Sequence, residues 1–163
     1  MRMLFSQRAM NFGGALACAA MIGYALFAQY VLHEEPCPLC LFQRFEVIAL
    51  GVVFLAAAAH NPGKIGARIY AVLIVLAALT AIATAAWHLW IQSLPPGSVP
   101  SCGANLGYLF EIMSVVEVIQ KVFSGSGECQ QVDLLLGLSW PWWTVISATL
   151  LGAAGAWRNW CGK

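Results

Sequence analysis

Cys37-Pro38-Leu39-Cys40 stands where a charge-free apolar run, Phe12 to Leu32, has ended and a second run, Leu41 to Ala59, begins. Two more apolar runs follow, Ile69 to Ile91 and Pro141 to Trp157. The first three match the ~20 residues an α-helix needs to cross a hydrocarbon core of roughly 30 Å, and the fourth lies near the lower limit of about 17. Inside lipid a backbone amide finds no water, so runs of this length cross as helices. The whole composition agrees: 163 residues, 61% hydrophobic and 9% charged, with a mean hydropathy of +0.77, outside the range of soluble globular chains. The expected fold is an all-α membrane protein, a four-helix transmembrane bundle forming one domain over residues 1–163, with no internal repeat. Its partner along most of its length is the lipid bilayer, and no nucleic-acid partner is expected.

The first run exceeds the 7–15-residue core of a cleavable signal peptide and ends in His33-Glu34-Glu35-Pro36 instead of a small-residue cleavage site, so it is expected to stay attached. Orientation follows from charge. Arg2, Arg8, Lys64, Arg68, Arg158 and Lys163 fall on one side of the four spans with no acid among them. All the acids, Glu34, Glu35, Glu46, Glu111, Glu117, Glu128 and Asp133, fall on the other, accompanied only by Arg44 and Lys121. The excess of Lys and Arg marks the cytoplasmic side, which places both termini there and the loops 33–40 and 92–140 outside.

Sidedness sorts the cysteines. Six allow fifteen pairings, but Cys18 lies within the first span, where a small buried hydrophobe is the plain reading. Cys161 lies at the cytoplasmic tail, where thiols stay reduced, and is incidental or a juxtamembrane acylation site. Cys37, Cys40, Cys102 and Cys129 share the oxidising side. A lone Cys-x-x-Cys is a poor zinc site without a second pair or closely spaced histidines, and it is a common redox motif. Cys102 follows the proline-rich stretch Leu94-Pro95-Pro96-Gly97-Ser98-Val99-Pro100, which keeps it on an extended loop. Between the two outer cysteines, Tyr108 to Phe123 shows an amphipathic pattern with Glu111, Ser114, Glu117 and Lys121 on one face, as expected of a short helix in the membrane interface or packed on the bundle. A Cys102–Cys129 bond serving structure alone would disfavour the unfolded chain by roughly 3–4 kcal/mol. One close and one distant pair on the same side also suits thiol–disulfide exchange, which passes electrons only between pairs that can meet.

Cys37-Pro38-Leu39-Cys40-Leu41-Phe42-Gln43-Arg44, the later Cys102, Gly127-Glu128-Cys129, Leu136-Gly137-Leu138 and Pro141-Trp142-Trp143 together resemble the DsbB family of bacterial inner-membrane thiol oxidases. The likeness covers the whole chain and keeps both pairs and all four spans in the family's order. It implies a protein-disulfide oxidase that reoxidises a periplasmic DsbA-like thioredoxin-fold partner and passes the electrons to a membrane quinone, ubiquinone or menaquinone. This relay is established knowledge of the family, not a reading of these residues. It implies catalytic roles for Cys37, Cys40, Cys102 and Cys129: the partner's thiolate attacks Cys102, the released Cys129 attacks Cys37, and the released Cys40 faces the quinone.

The reacting species is a thiolate, which a nearby cation favours. Arg44 is one helical turn beyond Cys40 and is the expected cation, near both the sulfur and a quinone carbonyl; its plainer reading is a snorkelling arginine at a helix end. Glu46 is either its counter-ion or an interfacial acid. His88 is a second expected quinone contact, or else an interfacial residue beside Trp87 and Trp90. Two features depart from the family's best-known pattern: Pro38 follows the first cysteine, and Gln43 instead of an acid precedes Arg44. Two other readings keep the same residues in view. A vitamin K epoxide reductase-like quinone reductase carries its Cys-x-x-Cys late in the chain, whereas here it comes first. A membrane metal handler would use Cys37, Cys40 and His33.

Overall fold

A computed structural model describes residues 6–34, 36–95, 97–98, 114, 116–117, 120, 127–132 and 134–161. Cys102 lies outside the described residues, as does most of the stretch from Tyr108 to Phe123. Four long helices make up the described chain: α1 Gln7–Tyr30, α2 Pro38–His60, α3 Lys64–Ser93 and α4 Trp140–Cys161. Each of the four expected spans falls within or nearly within one of them. The first helix begins earlier than its apolar run because Ser6 caps it, its hydroxyl oxygen accepting from the Ala9 amide at 3.1 Å. Helices α1, α2 and α3 are each long and apolar enough to cross a membrane. Helix α4 has 22 residues, about 33 Å at 1.5 Å per residue. It is less apolar because it carries the Thr144, Ser147 and Asn159 side chains that bond inside the protein. The chain is an all-α membrane bundle, in which consecutive helices pack on one another and α4 lies along α3.

Small residues at heptad spacing build that bundle. Seven of the nine buried positions of α3, Ala67, Ala71, Ile74, Ala78, Ala81, Ala85 and His88, alternate four- and three-residue steps, with Thr84 and Ile91 buried beside them; this spacing keeps one seam turned towards a neighbour. Lipid tails are as apolar as leucine, so close approach of backbones, not exclusion from water, drives the packing. Facing them, Gly152 is so close that an added Cβ would lie 2.7 Å from the Ala78 Cβ. The Phe54 ring occupies the space that Gly14 and Gly155 leave open, where added Cβ atoms would stand 2.8 and 2.5 Å from ring carbons. Phe54, Leu50, Val47, Cys18 and Ile74 form the mid-bundle core, and Cys18 is there as a packed small side chain against Gly51.

The first and last helices meet at the end that carries Arg8, Lys64, Arg68 and Arg158. Gln7 Nε2 and Asn11 Nδ2 both donate to Asn159 Oδ1, at 3.2 and 3.0 Å, and Asn159 Nδ2 donates back to Asn11 Oδ1 at 2.7 Å. At the opposite end the Tyr24 and Trp140 rings approach to 5.7 Å. The site lies at this second end.

Two small elements beyond the helices sit at the cysteine end. A 3₁₀ turn, Gly127–Gln130, seats Cys129 against α3. An antiparallel hairpin, β1 Leu134–Leu135 and β2 Leu138–Ser139, turns through Leu136 and Gly137 with φ of 53° and 85°. Two positive φ values in a two-residue loop match the right-handed strand twist. Ser114 begins a helical turn: its amide and hydroxyl donate to Glu117 Oε2 at 2.9 and 2.8 Å, and these bonds hold the Glu117 carboxyl below the usual carboxylate range.

Candidate active site

Pro38 decides the local geometry of the cysteine motif. With its φ fixed and no amide hydrogen, proline is suited to the first position of a helix, and α2 begins on it. Cys37 is therefore the N-cap and Cys40 the third helical residue; the Cys37 sulfur accepts from the Cys40 amide at 3.4 Å, where the positive end of the helix dipole lies. The two sulfurs are 3.2 Å apart. Cys37 is buried with Leu39, Ile91 and Cys129 in an apolar cluster, and Cys40 is half-buried at its edge. The distant sequence partner of the motif, Cys129, is thus beside it in space.

His88 joins the two. Its Nε2 lies 3.2 Å from the Cys129 carbonyl oxygen and 3.8 Å from the Cys37 sulfur. Its Nδ1 lies 3.2 Å from Gln43 Nε2. The Cys129 carbonyl can only accept, so it is Nε2 that carries the ring hydrogen, and Gln43 Oε1 in turn takes the Thr144 hydroxyl at 3.1 Å. Gln43 then presents its NH₂ to His88, Nδ1 accepts, and the ring hydrogen sits on Nε2, aimed at Cys129 and Cys37. A chain of polar contacts therefore runs from α4 through α2 and α3 to the Cys129 turn, with His88 2% exposed. The interfacial reading of His88 does not hold: Trp87 and Trp90 turn outward, their rings 4.6 Å apart, while His88 turns in.

A cavity of ≈ 920 Å³ lies among α1, α2 and α4, with His88 and Gln92 of α3 also on its lining. Met21, Ile22, Val47, Tyr24 and Trp140 are among the residues that line it, together with Cys37, Cys40, Arg44 and His88. Arg44 does not run out to the interface. Its guanidinium donates to Gln29 Oε1 and, at 3.1 Å, to the Ala25 carbonyl, fixing it across the cavity to α1. Glu46 is not its counter-ion, for it faces α3 and accepts from the Thr84 hydroxyl at 2.7 Å. The second oxygen of Glu46 is buried and has no hydrogen-bond partner among the described residues.

Two participants escaped the sequence reading, and a third was singled out there without its role. Gln29 was detectable as the one amide in the run Phe12 to Leu32, since a polar side chain inside a span is expensive unless bonded. Thr144 gave no such signal, because serine and threonine are common in spans. Gln43 was noted as a departure from the family pattern and proves to be the residue that orients His88. His33 is exposed and does not line the cavity; among the described residues the sulfur and nitrogen atoms that gather are those of Cys37, His88 and Cys129.

The family model described as "Disulfide bond formation protein DsbB" matches residues 7–158. Proteins named "Disulfide bond formation protein B" are similar along most of their length. That of Chromobacterium violaceum is 50% identical over 133 residues, covering 81% of this chain and 80% of its own. That of Chromohalobacter salexigens is 46% identical over 140 residues, 85% of this chain and 81% of its own. That of Nitrosococcus oceani is 41% identical over 157 residues, 96% of this chain and 93% of its own. No solved structure is matched.

Proposed function

The chain belongs to the DsbB family of disulfide bond formation proteins, and from that membership we propose that it reoxidises a periplasmic DsbA-like oxidase and delivers the electrons to a membrane quinone, ubiquinone or menaquinone. One observation carries the proposal: the Cys37 and Cys40 motif opens on a cavity between the helices shared with Arg44, while the same motif packs against Cys129. A cavity of that size, apolar on most walls and supplied with a few converging polar groups, fits a quinone ring. Bound there, a quinone supplies a two-electron, two-proton acceptor.

The protein's own residues account for the rest. Cys102 takes the attack of the partner's thiolate, so the Cys102–Cys129 bond breaks as a mixed disulfide forms and the Cys129 sulfur leaves with the electron pair. Cys129 attacks Cys37, breaking the Cys37–Cys40 bond and releasing Cys40 beside the cavity. His88 Nε2–H holds the Cys129 turn through its carbonyl and faces the Cys37 sulfur, so it keeps attacking and attacked sulfurs in register. Arg44, tied to α1, holds positive charge where Cys40 becomes anionic. The partner's second thiolate then resolves the mixed disulfide and frees Cys102, which attacks Cys129, re-forming the Cys102–Cys129 bond and breaking the Cys129–Cys37 bond; the two electrons and two protons that left the partner now reside on the Cys37 and Cys40 dithiol, which passes them to the quinone. We place the protein in the inner membrane as a single domain, with both termini cytoplasmic and the cysteine-bearing loops periplasmic.

Trapping tests the outer step. A DsbA-like partner lacking its resolving cysteine should accumulate as a covalent complex at Cys102, since nothing remains to break the mixed disulfide. Non-reducing electrophoresis and peptide mapping read the result; a complex mapped to Cys18 or Cys161 would sink the assignment.

A further inference from the structure

We infer that the fully reduced protein holds a thiophilic divalent cation between Cys37, Cys129 and His88, with Cys40 as the fourth ligand. The three side chains are buried, and their sulfur and nitrogen atoms all lie within 4.8 Å of one another. Metal–sulfur bonds of ~2.3 Å and a metal–nitrogen bond of ~2.0 Å at tetrahedral angles set neighbouring ligand atoms roughly 3.5–3.8 Å apart. Cys37 Sγ and His88 Nε2 already stand at 3.8 Å, and Cys40 Sγ is 3.2 Å from Cys37 Sγ. Cys37, His88 and Cys129 are already gathered for an ion, whereas Cys40, close to Cys37 but outside that group of three, has to turn its sulfur towards the other two to complete the shell.

Gln43 completes the site from behind. Binding through Nε2 moves the ring hydrogen to Nδ1, which then needs an acceptor. Gln43 provides one by turning its amide over, so that Oε1 faces Nδ1 and the NH₂ faces Thr144, whose hydroxyl accepts as readily as it donates. A ligating histidine whose other nitrogen is bonded in this way is fixed in tautomer and orientation. Each thiol that ligates the ion releases one proton to solvent. A phosphine reductant supplies the thiols, each S–S bond giving two as the phosphine becomes its oxide with oxygen from water. The site rests on the cluster geometry alone. Its consequence rests on the proposed function: a bound cation ties up the sulfurs that exchange requires, so zinc arrests turnover and a chelator restores it.

Cobalt reports the site without any assay of turnover. The full chain carrying Cys18→Ala and Cys161→Ala, reduced with phosphine in detergent without oxygen, should bind one Co²⁺ with thiolate-to-cobalt charge transfer and tetrahedral absorption. X-ray absorption of the Zn²⁺ form should show nitrogen at ~2.0 Å beside sulfur at ~2.3 Å. Gln43→Leu should weaken Co²⁺ binding roughly 10- to 100-fold, and Gln43→Glu, whose carboxylate accepts from Nδ1 outright, should tighten it. Circular dichroism identifies any variant that fails to fold. Absence of charge transfer in folded, reduced protein would overturn the inference, as would a sulfur-only shell or binding that survives both Cys129→Ser and His88→Ala.

Discussion

With Cys40→Ser the protein should oxidise one equivalent of reduced partner and then stop, with quinone reduction lowered by at least ~10³-fold, since the variant has lost the sulfur that does the chemistry. The burst expected is specific to the two-pair arrangement. Cys102 and Cys129 still exchange with the partner, but Cys37 has no disulfide to offer Cys129, so the first turnover is also the last. Rapid mixing followed by alkylation of thiols counts the partner oxidised, and absorbance follows the quinone. Sustained turnover in this variant would show that electrons leave the protein from another sulfur.

Arg44→Ala should slow quinone reduction by about 10²-fold, a loss of ~2.7 kcal/mol that is ordinary for removing one preorganised charge from a water-poor site. Exchange between the partner and Cys102 should change little, because Arg44 faces the cavity and α1 rather than the Cys129 turn. Arg44→Lys should recover only part of the rate, since one ammonium cannot make both bonds of the guanidinium fork to Gln29 and the Ala25 carbonyl. Unchanged quinone reduction in the alanine variant, with the protein folded, would reduce Arg44 to a helix anchor.

What the sequence made legible is whatever depends on the run of the chain itself. Four apolar stretches predict four helices because lipid leaves the backbone no other choice, and Pro38 behind Cys37 marks the start of α2 because proline fits there and hardly anywhere later in a helix. The spacing of Cys40 and Arg44 predicts that they share a face, and both reach the same cavity. Contacts between distant segments are another matter. Nothing in a single chain announces that Gln43, His88 and Thr144 from three helices converge, and the tautomer of His88 follows only once the Cys129 carbonyl is beside Nε2. Trp87 and Trp90 made His88 look interfacial, yet a helix turns adjacent residues about 100° apart, so the tryptophans face outward while the histidine faces in. The Leu136-Gly137 turn was hidden for a related reason: leucine is a poor residue for positive φ, and the hairpin it closes is held by contacts such as Trp143 Nε1 donating to the Leu135 carbonyl at 3.0 Å.

The relay from protein dithiol to quinone is tested most directly by mixing the purified chain with an excess of reduced DsbA-like partner and a soluble quinone, without oxygen, and following both reactants. The expected result is catalytic loss of one quinone for every two partner thiols, abolished together in Cys40→Ser and in Cys129→Ser. Oxidation of partner thiols without matching loss of quinone, or quinone loss that persists in both variants, would contradict it.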